Sequence, residues 1–365
     1  MNSRALCKLA SRLMRHPAAP YHEHAVRAEV EMICQEHNLS HKRDPFGNLL
    51  IGAAVSERAK AQSSRPIVFA AHMDHPGFEV LSGNSSNGLQ ARFRGGVPDQ
   101  YFRSGLAIRL MPGGERARLG RRIGKDRIFE IRDRKTRSSK PSFAVWDLED
   151  FSVRGNRIHG RACDDLIGVA CALAAVIELR KGGPRVNAVA AISRAEEIGF
   201  LGALALSRSR LLPKNSLIIS LETSSELPGV KMGQGVILRV GDRTSVFDSK
   251  AMRFLREVAA GVTVKRRRFQ FQRGLMSGGT CEATAYQEYG YQTGAVCVAL
   301  GNYHNCSARN RIAAEYVDIS DACAMVDLLV EAGRAMSRFD SIIRGLPQRL
   351  EKLRQEAVSR LRATR

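Results

Sequence analysis

Apolar segments in this chain stop, again and again, on ionisable residues. The run Ile67-Val68-Phe69-Ala70-Ala71 ends at His72-Met73-Asp74. VNAVAAIS (186–193) runs into Arg194-Ala195-Glu196-Glu197. SLIISLE (216–222) closes on Glu222, and TGAVCVALG (293–301) leads to Asn302-Tyr303-His304. Between them, GRACDDLIG (160–168) sets Asp164 and Asp165 at the head of an apolar helix. Short apolar runs that alternate with helical spacing predict an α/β domain with a largely parallel or mixed sheet. Such sheets gather their ligands at strand ends.

A second pattern interrupts the first. LQARFRG (89–95), LAIRLMP (106–112), RIFEIRD (127–133) and FAVWDLE (143–149) alternate with period two, and Gly, Pro and Ser separate them. That spacing predicts a small antiparallel barrel or sandwich. The expected organisation is an α/β domain over 1–77 and 158–344, a β-rich insertion over 78–157, and a basic helical tail over 345–365. Residues 5–37 carry helical spacing and predict two helices; the first reads as an ordinary helix rather than a transit peptide.

The chain has 365 residues, 44% of them hydrophobic, enough for a large core. No apolar run approaches the ~18 residues that a membrane-spanning helix needs, so no membrane partner is expected. The formal net charge is +21, a balance that attracts anionic partners. The cations are scattered through 116–127, 132–140, 265–273 and the tail, with no named nucleic-acid module. Nucleic acid is therefore an open partner but not the favoured one. The eight cysteines form no Cys-x-x-Cys pair, which reads as reduced thiols in a cytoplasmic protein.

Taken singly, each polar strand end has an ordinary explanation. Asp-Asp at a helix start caps it, Glu-Glu opens the next helix, and a lone His packs in a core. Taken together, two imidazoles and several carboxylates at successive strand–helix junctions form an oxygen and nitrogen donor set suited to zinc, cobalt or manganese.

The ordered set AAHMD, ACDDLIG, EEIGFLGA, SLE and NYH resembles the co-catalytic di-zinc aminopeptidases of metallopeptidase family forty-two, the glutamyl, deblocking and tetrahedral types. DPFGNLLIG (44–52), GVKMGQGVIL (229–238) and SGGTCEATA (277–285) extend the likeness over roughly residues 5–338. The resemblance implies a mixed-sheet, phosphorylase/hydrolase-like zinc-peptidase domain with an inserted β-barrel. It implies two divalent ions per chain, zinc by preference, with Asp164 bridging them. His72 and Glu222 would complete one site, Glu197 and His304 the other. Asp74 would hold the His72 imidazole, and Glu196 would serve as general base and acid on a water shared by the ions. It further implies a homo-oligomer built through 78–157 and peptide substrates cut at the N-terminus.

The sequence departs from the family pattern at His75, where Glu is usual, at Asp165-Leu166, and at Cys281, where Asp is usual. Two rivals stand beside the aminopeptidase reading: another di-metal amidohydrolase, such as a deacylase or carboxypeptidase, and a basic binding protein with a vestigial metal site. For substrate preference, Lys265, Arg266, Arg267, Arg268 and Arg273 in KRRRFQFQR predict peptides that begin with Asp or Glu.

Overall fold

The computed structural model describes residues 2–52, 65–81, 89–132, 140–181 and 186–365. The two N-terminal helices form as α1 (Ser3–Met14) and α2 (His24–Glu36). Asn2 caps α1 by accepting from the Ala5 amide, and Leu6, Leu9, Ala10, Leu13 and Met14 make its buried stripe. β1 (His41–Arg43) and β2 (Leu49–Gly52) form a hairpin. The rest of the run expected as a strand to residue 55 lies outside the described residues. β3 (Ile67–His72) is buried at all six positions.

Six strands then close on themselves: β4 (Gly77–Val80), β5 (Leu89–Arg94), β6 (Ala107–Met111), β7 (Arg116–Ile123), β8 (Ile128–Arg132) and β9 (Phe143–Trp146). Their order around the barrel is β4-β5-β8-β7-β6-β9. Alternate residues point inward, as the period of a strand requires: Ile108 and Leu110 on β6, Phe129 and Ile131 on β8. Phe78 sits edge-on to Phe93 and to Trp146, with ring centroids 4.9 Å apart in both pairs. Each such pair is worth about 0.5–1.5 kcal/mol beyond its buried area.

The chain returns to the α/β domain earlier than expected. β10 (Ser152–Arg154) and β11 (Arg157–Gly160) already pair within the large sheet, so the expected boundary at 157 falls inside it. The barrel's own strands end at Trp146.

The alternation that follows is α3 (Leu166–Arg180), β12 (Ala188–Ser193), α4 (Leu201–Arg208), β13 (Leu217–Ser225), β14 (Val236–Gly241), α5 (Ser249–Lys265) and β15 (Phe271–Leu275). Next come α6 (Glu282–Glu288), β16 (Gln292–Gly301), the short β17 (Cys306–Ser307) and β18 (Arg311–Ile312), β19 (Glu315–Asp318) and α7 (Ile319–Ala335). The last helix, α8, runs Phe339–Ala363 and so begins before the expected start of the tail at 345, because buried Phe339 anchors its first turn.

The large sheet is mixed, in the order β1-β2-β12-β3-β13-β16-β19-β11-β10, with β14 and β15 branching from β16. Its centre, β12-β3-β13-β16, is parallel throughout. α3 is buried on every side from Leu166 to Ile177, and a helix apolar all round belongs inside a fold. It packs on β3 beneath α1 and α7. The expected mixed α/β sheet with an interrupting β-barrel is therefore the observed fold. No helix among the described residues is long and apolar enough to cross a membrane.

Candidate metal centre

Parallel neighbours end at one edge of a sheet, and the four central strands bring their polar ends together there. His72 is the last residue of β3, Glu196 and Glu197 lie in the turn after β12, and His304 follows β16. Glu222 is reached differently. β13 pairs with β3 only as far as Ser220 and continues alongside β16 to Ser225, so Glu222 stands inside a strand rather than at its end. The start of α3 adds Asp164. Asp165 caps that helix by accepting from the Gly168 amide at 3.2 Å, which leaves Asp164 free for the site.

The donors fall into two groups. Ligand atoms of His72, Glu196 and Glu222 lie within 4.8 Å of one another, and so do those of Asp164, Glu197 and His304. Asp164 spans the two: Oδ1 is 3.7 Å from His72 Nε2, and Oδ2 is 3.5 Å from His304 Nε2. Glu196 Oε2 is 3.9 Å from His72 Nε2. All seven residues expected at the site from sequence are thus near one another, and Glu196 falls in the same group as His72.

Backbone hydrogen bonds fix the ring nitrogens that face away from the centre. His72 Nδ1 is 3.0 Å from the Asp74 carbonyl oxygen, while the Asp74 carboxylate stands off at 3.6 Å. The expected carboxylate brace on His72 is therefore chiefly a main-chain one. The Asp74 carboxylate instead accepts from the amides of Glu196 (2.9 Å) and Glu197 (3.1 Å), tying down the turn that presents both glutamates. Ala195, at φ 52°, makes that turn sharp. Glu23 braces its far side, accepting from the Ala195 amide and the Arg194 guanidinium. His304 Nδ1 is 3.0 Å from the carbonyl oxygen of Gly96, which belongs to the barrel segment. Partners of this kind set the tautomer and aim of a ligating imidazole.

A further layer holds Asp164. His75 Nδ1 faces the Asp164 carbonyl at 2.8 Å and its Nε2 faces Asn305 Oδ1 at 3.0 Å. Glu315 Oε2 accepts from the amides of Cys163 and Asp164. The unusual His75 is thus a buried link between the Asp164 and His304 segments.

The electrostatics call for positive charge. Burial opposes ionisation of Glu196 and Glu197 and raises both pKa values; His72 and His304 only partly counter it. Burial pushes Glu222 up to about 8. Burial also works against Asp164, yet the flanking His304 and His72 imidazoles hold it below the usual carboxylate range. Asp164 Oδ1 and Glu222 Oε1 are buried without a hydrogen-bond partner. Glu197 Oε1 lies 3.1 Å from His304 Nε2 without the alignment of a hydrogen bond. A buried carboxylate oxygen left without a donor costs on the order of 1–3 kcal/mol. Orphaned oxygens that converge with imidazole nitrogens fit divalent cations, and the donor types fit zinc.

The centre opens into a pocket of about 130 Å³. Glu196 lines it and Glu197 does not. The pocket wall holds residues that sequence reasoning passed over. Arg239, 3% exposed, donates to Ser224 Oγ at 3.1 Å and to the Gly279 carbonyl at 3.3 Å, and its Nε is unpartnered. Tyr303 stacks on the His304 ring with centroids 3.8 Å apart. The cations expected to meet an acidic substrate are elsewhere. None of Lys265, Arg266, Arg267, Arg268 or Arg273 lines the pocket, and Lys265 and Arg266 pair with Glu331 and Asp327 of α7.

Comparison with known proteins agrees with this fold. A TET aminopeptidase from a marine sediment thaumarchaeon superposes with a TM-score of 0.73 at 20% identity, over 92% of this chain and 99% of its own. An aminopeptidase from the archaeon Desulfurococcus kamchatkensis does so at 0.71 and 21%, over 93% and 98%. The Pyrococcus horikoshii TET1 peptidase, described as assembling into a tetrahedron or a large octahedral shell, matches at 0.71 and 20%, over 90% and 99%. At such identities these likenesses speak for the fold. The pattern of the M42 glutamyl aminopeptidase family matches residues 139–328, more than half of the chain, and includes Asp164, Glu196, Glu197, Glu222 and His304. The chain belongs to the M42 glutamyl aminopeptidase family and is an enzyme that hydrolyses peptides.

Proposed function

We propose that this peptidase is a metal-dependent aminopeptidase that removes single residues from the N-termini of short peptides. The observation that carries the reading is the position of one carboxylate, Asp164, between the His72 and His304 imidazoles. In this reading Asp164 would help hold two divalent cations, zinc by preference, with cobalt and manganese as alternatives. His72 and Glu222 complete one donor set; Glu197 and His304 complete the other. Bound there, the cations supply charge that acidifies water and polarises a scissile carbonyl.

The chain's own residues do the rest. Glu196, on the pocket wall, takes a proton from the attacking water and returns it to the leaving amine. Its burial raises its affinity for that proton. Asp74 keeps Glu196 and Glu197 on a fixed turn, so one faces the pocket and the other His304. Arg239 supports a preference for peptides that begin with Asp or Glu. Its guanidinium is held by Ser224 and Gly279 on the pocket wall, and Nε has no partner of its own.

Self-association through the barrel segment is part of the same reading. Solved relatives are described as a dodecamer and as a tetrahedral or octahedral shell. The eight cysteines are free, which supports a reducing compartment such as the cytoplasm.

The test is metal content together with turnover. After saturation with zinc and removal of the excess, about two ions per chain are expected. A chelator should abolish hydrolysis of aminoacyl reporters, and zinc or cobalt should restore it. Reporters with an acetylated amino group should not be cut; release of acetate from them would mark a deacylase, and release of the reporter group would show that no free amine is required. A protein that binds no zinc overturns the di-metal reading.

A further inference from the structure

We propose that the projecting half of α8 docks on an anionic lipid surface. The helix has two unlike halves. Its first turns belong to the body: the Phe339 ring lies 4.9 Å from that of Phe254, Arg65 stacks on it at 4.5 Å, and Arg253 donates to the Ile343 carbonyl at 2.9 Å. Past Pro347 every residue except Val358 is exposed. Leu350, Leu353 and Leu361 are 55%, 55% and 68% exposed, far more than large apolar residues need be.

Those exposed residues are ordered. At about 100° per residue, Leu350, Leu353, Ala357 and Leu361 fall within an arc of roughly 80°. Arg349 and Arg360 border the arc on one side, Arg354 and Arg365 on the other, all within about 80° of its centre. Glu351 and Glu356 lie farther round, at about 100–120°. Both acids already have cationic neighbours on the helix: Glu351 with Arg354 at 2.6 Å and Glu356 with Lys352 at 3.8 Å. From 348 to 365 there are six Lys and Arg against two Glu, a net of +4.

A narrow apolar stripe edged by arginines suits a helix lying in a lipid interface. The leucines sink below the headgroups, and the long cationic side chains reach up to the phosphates. A second copy of the chain fits less well, because both borders of the stripe carry the same sign of charge. A nucleic-acid backbone would engage the arginines and leave the leucines exposed. The expectation of no membrane partner rested on the lack of a spanning run, and a helix lying on the surface needs none. Three leucines make such an attachment reversible.

Sedimentation of the full-length protein with vesicles tests the idea, using phosphatidylcholine with and without a third of phosphatidylglycerol. Binding is expected to the anionic vesicles alone. It should fall at least about tenfold in half-molar salt, where screening is strong. A variant carrying Leu350→Ser, Leu353→Ser and Leu361→Ser should lose binding by a similar factor of about ten or more while keeping its peptidase turnover. Full vesicle binding by that variant would overturn the proposal, since charge alone would then suffice. So would an absence of vesicle binding, whether accompanied by leucine-independent binding of single-stranded RNA or by a smaller assembly in the triple variant.

Discussion

Glu196 and Glu197 are adjacent on one turn and face different partners: the pocket for the first, His304 for the second. Different effects should follow from the same chemical change. Glu196→Gln should keep its metal and lose at least about a hundredfold in turnover, the usual scale of general acid–base catalysis. Glu197→Gln should lower metal content instead. Metal analysis beside steady-state rates separates the two. Loss of metal from Glu196→Gln would make Glu196 a ligand with His72 and Glu222. Arg239→Met should cut the preference for Glu- over Leu-aminoacyl reporters by about tenfold, roughly 1.4 kcal/mol. An unchanged ratio would move acid recognition off this wall. The clustered residues themselves were legible in the sequence because each ends or closely follows an apolar run, or precedes an apolar helix. Arg239 was not. It follows the buried stretch Val236–Leu238 of β14, where a lone arginine reads as an outward-facing residue, yet it is paired in register with Ala295 of β16 and lines the pocket.

At the scale of elements, period did most of the prediction. The alternation in β6 and β8 declared the barrel, and the runs in β3, β12 and β16 declared the central strands, because pleat and burial write directly into residue order. Boundaries were less legible where a partner decides them. β13 runs on past its neighbour β3 because β16 continues beside it to Leu300. The β10–β11 hairpin looks like more of the barrel until β19, far along the chain, claims it for the sheet. α3 is the element on which the site leans most. Its first residues follow Asp164, and it is buried on all sides. Leu173→Ala, at a position with no exposure, should cost about 2–5 kcal/mol in urea unfolding. A loss under about 1 kcal/mol would mean the helix repacks freely around the cavity.

Across the whole molecule, sheet and barrel meet at the candidate metal centre. The Gly96 carbonyl that aims His304 comes from the barrel segment, although Asp164, Glu197 and Glu222 come from the α/β domain. Replacing residues 80–145 with a short linker should therefore do two things at once. It should reduce the assembly seen in sedimentation, and it should depress metal affinity by about tenfold or more, the usual effect of losing a residue that orients a ligand. Retained metal affinity in a shrunken particle would show the two halves to be independent. An inserted segment is freely exchangeable only where its seam with the host carries no chemistry. Here the seam carries the bond that sets one imidazole's tautomer, so the barrel cannot be exchanged like a tag. A foreign barrel would leave His304 aimed as it is only if it presented a carbonyl at the same place as Gly96.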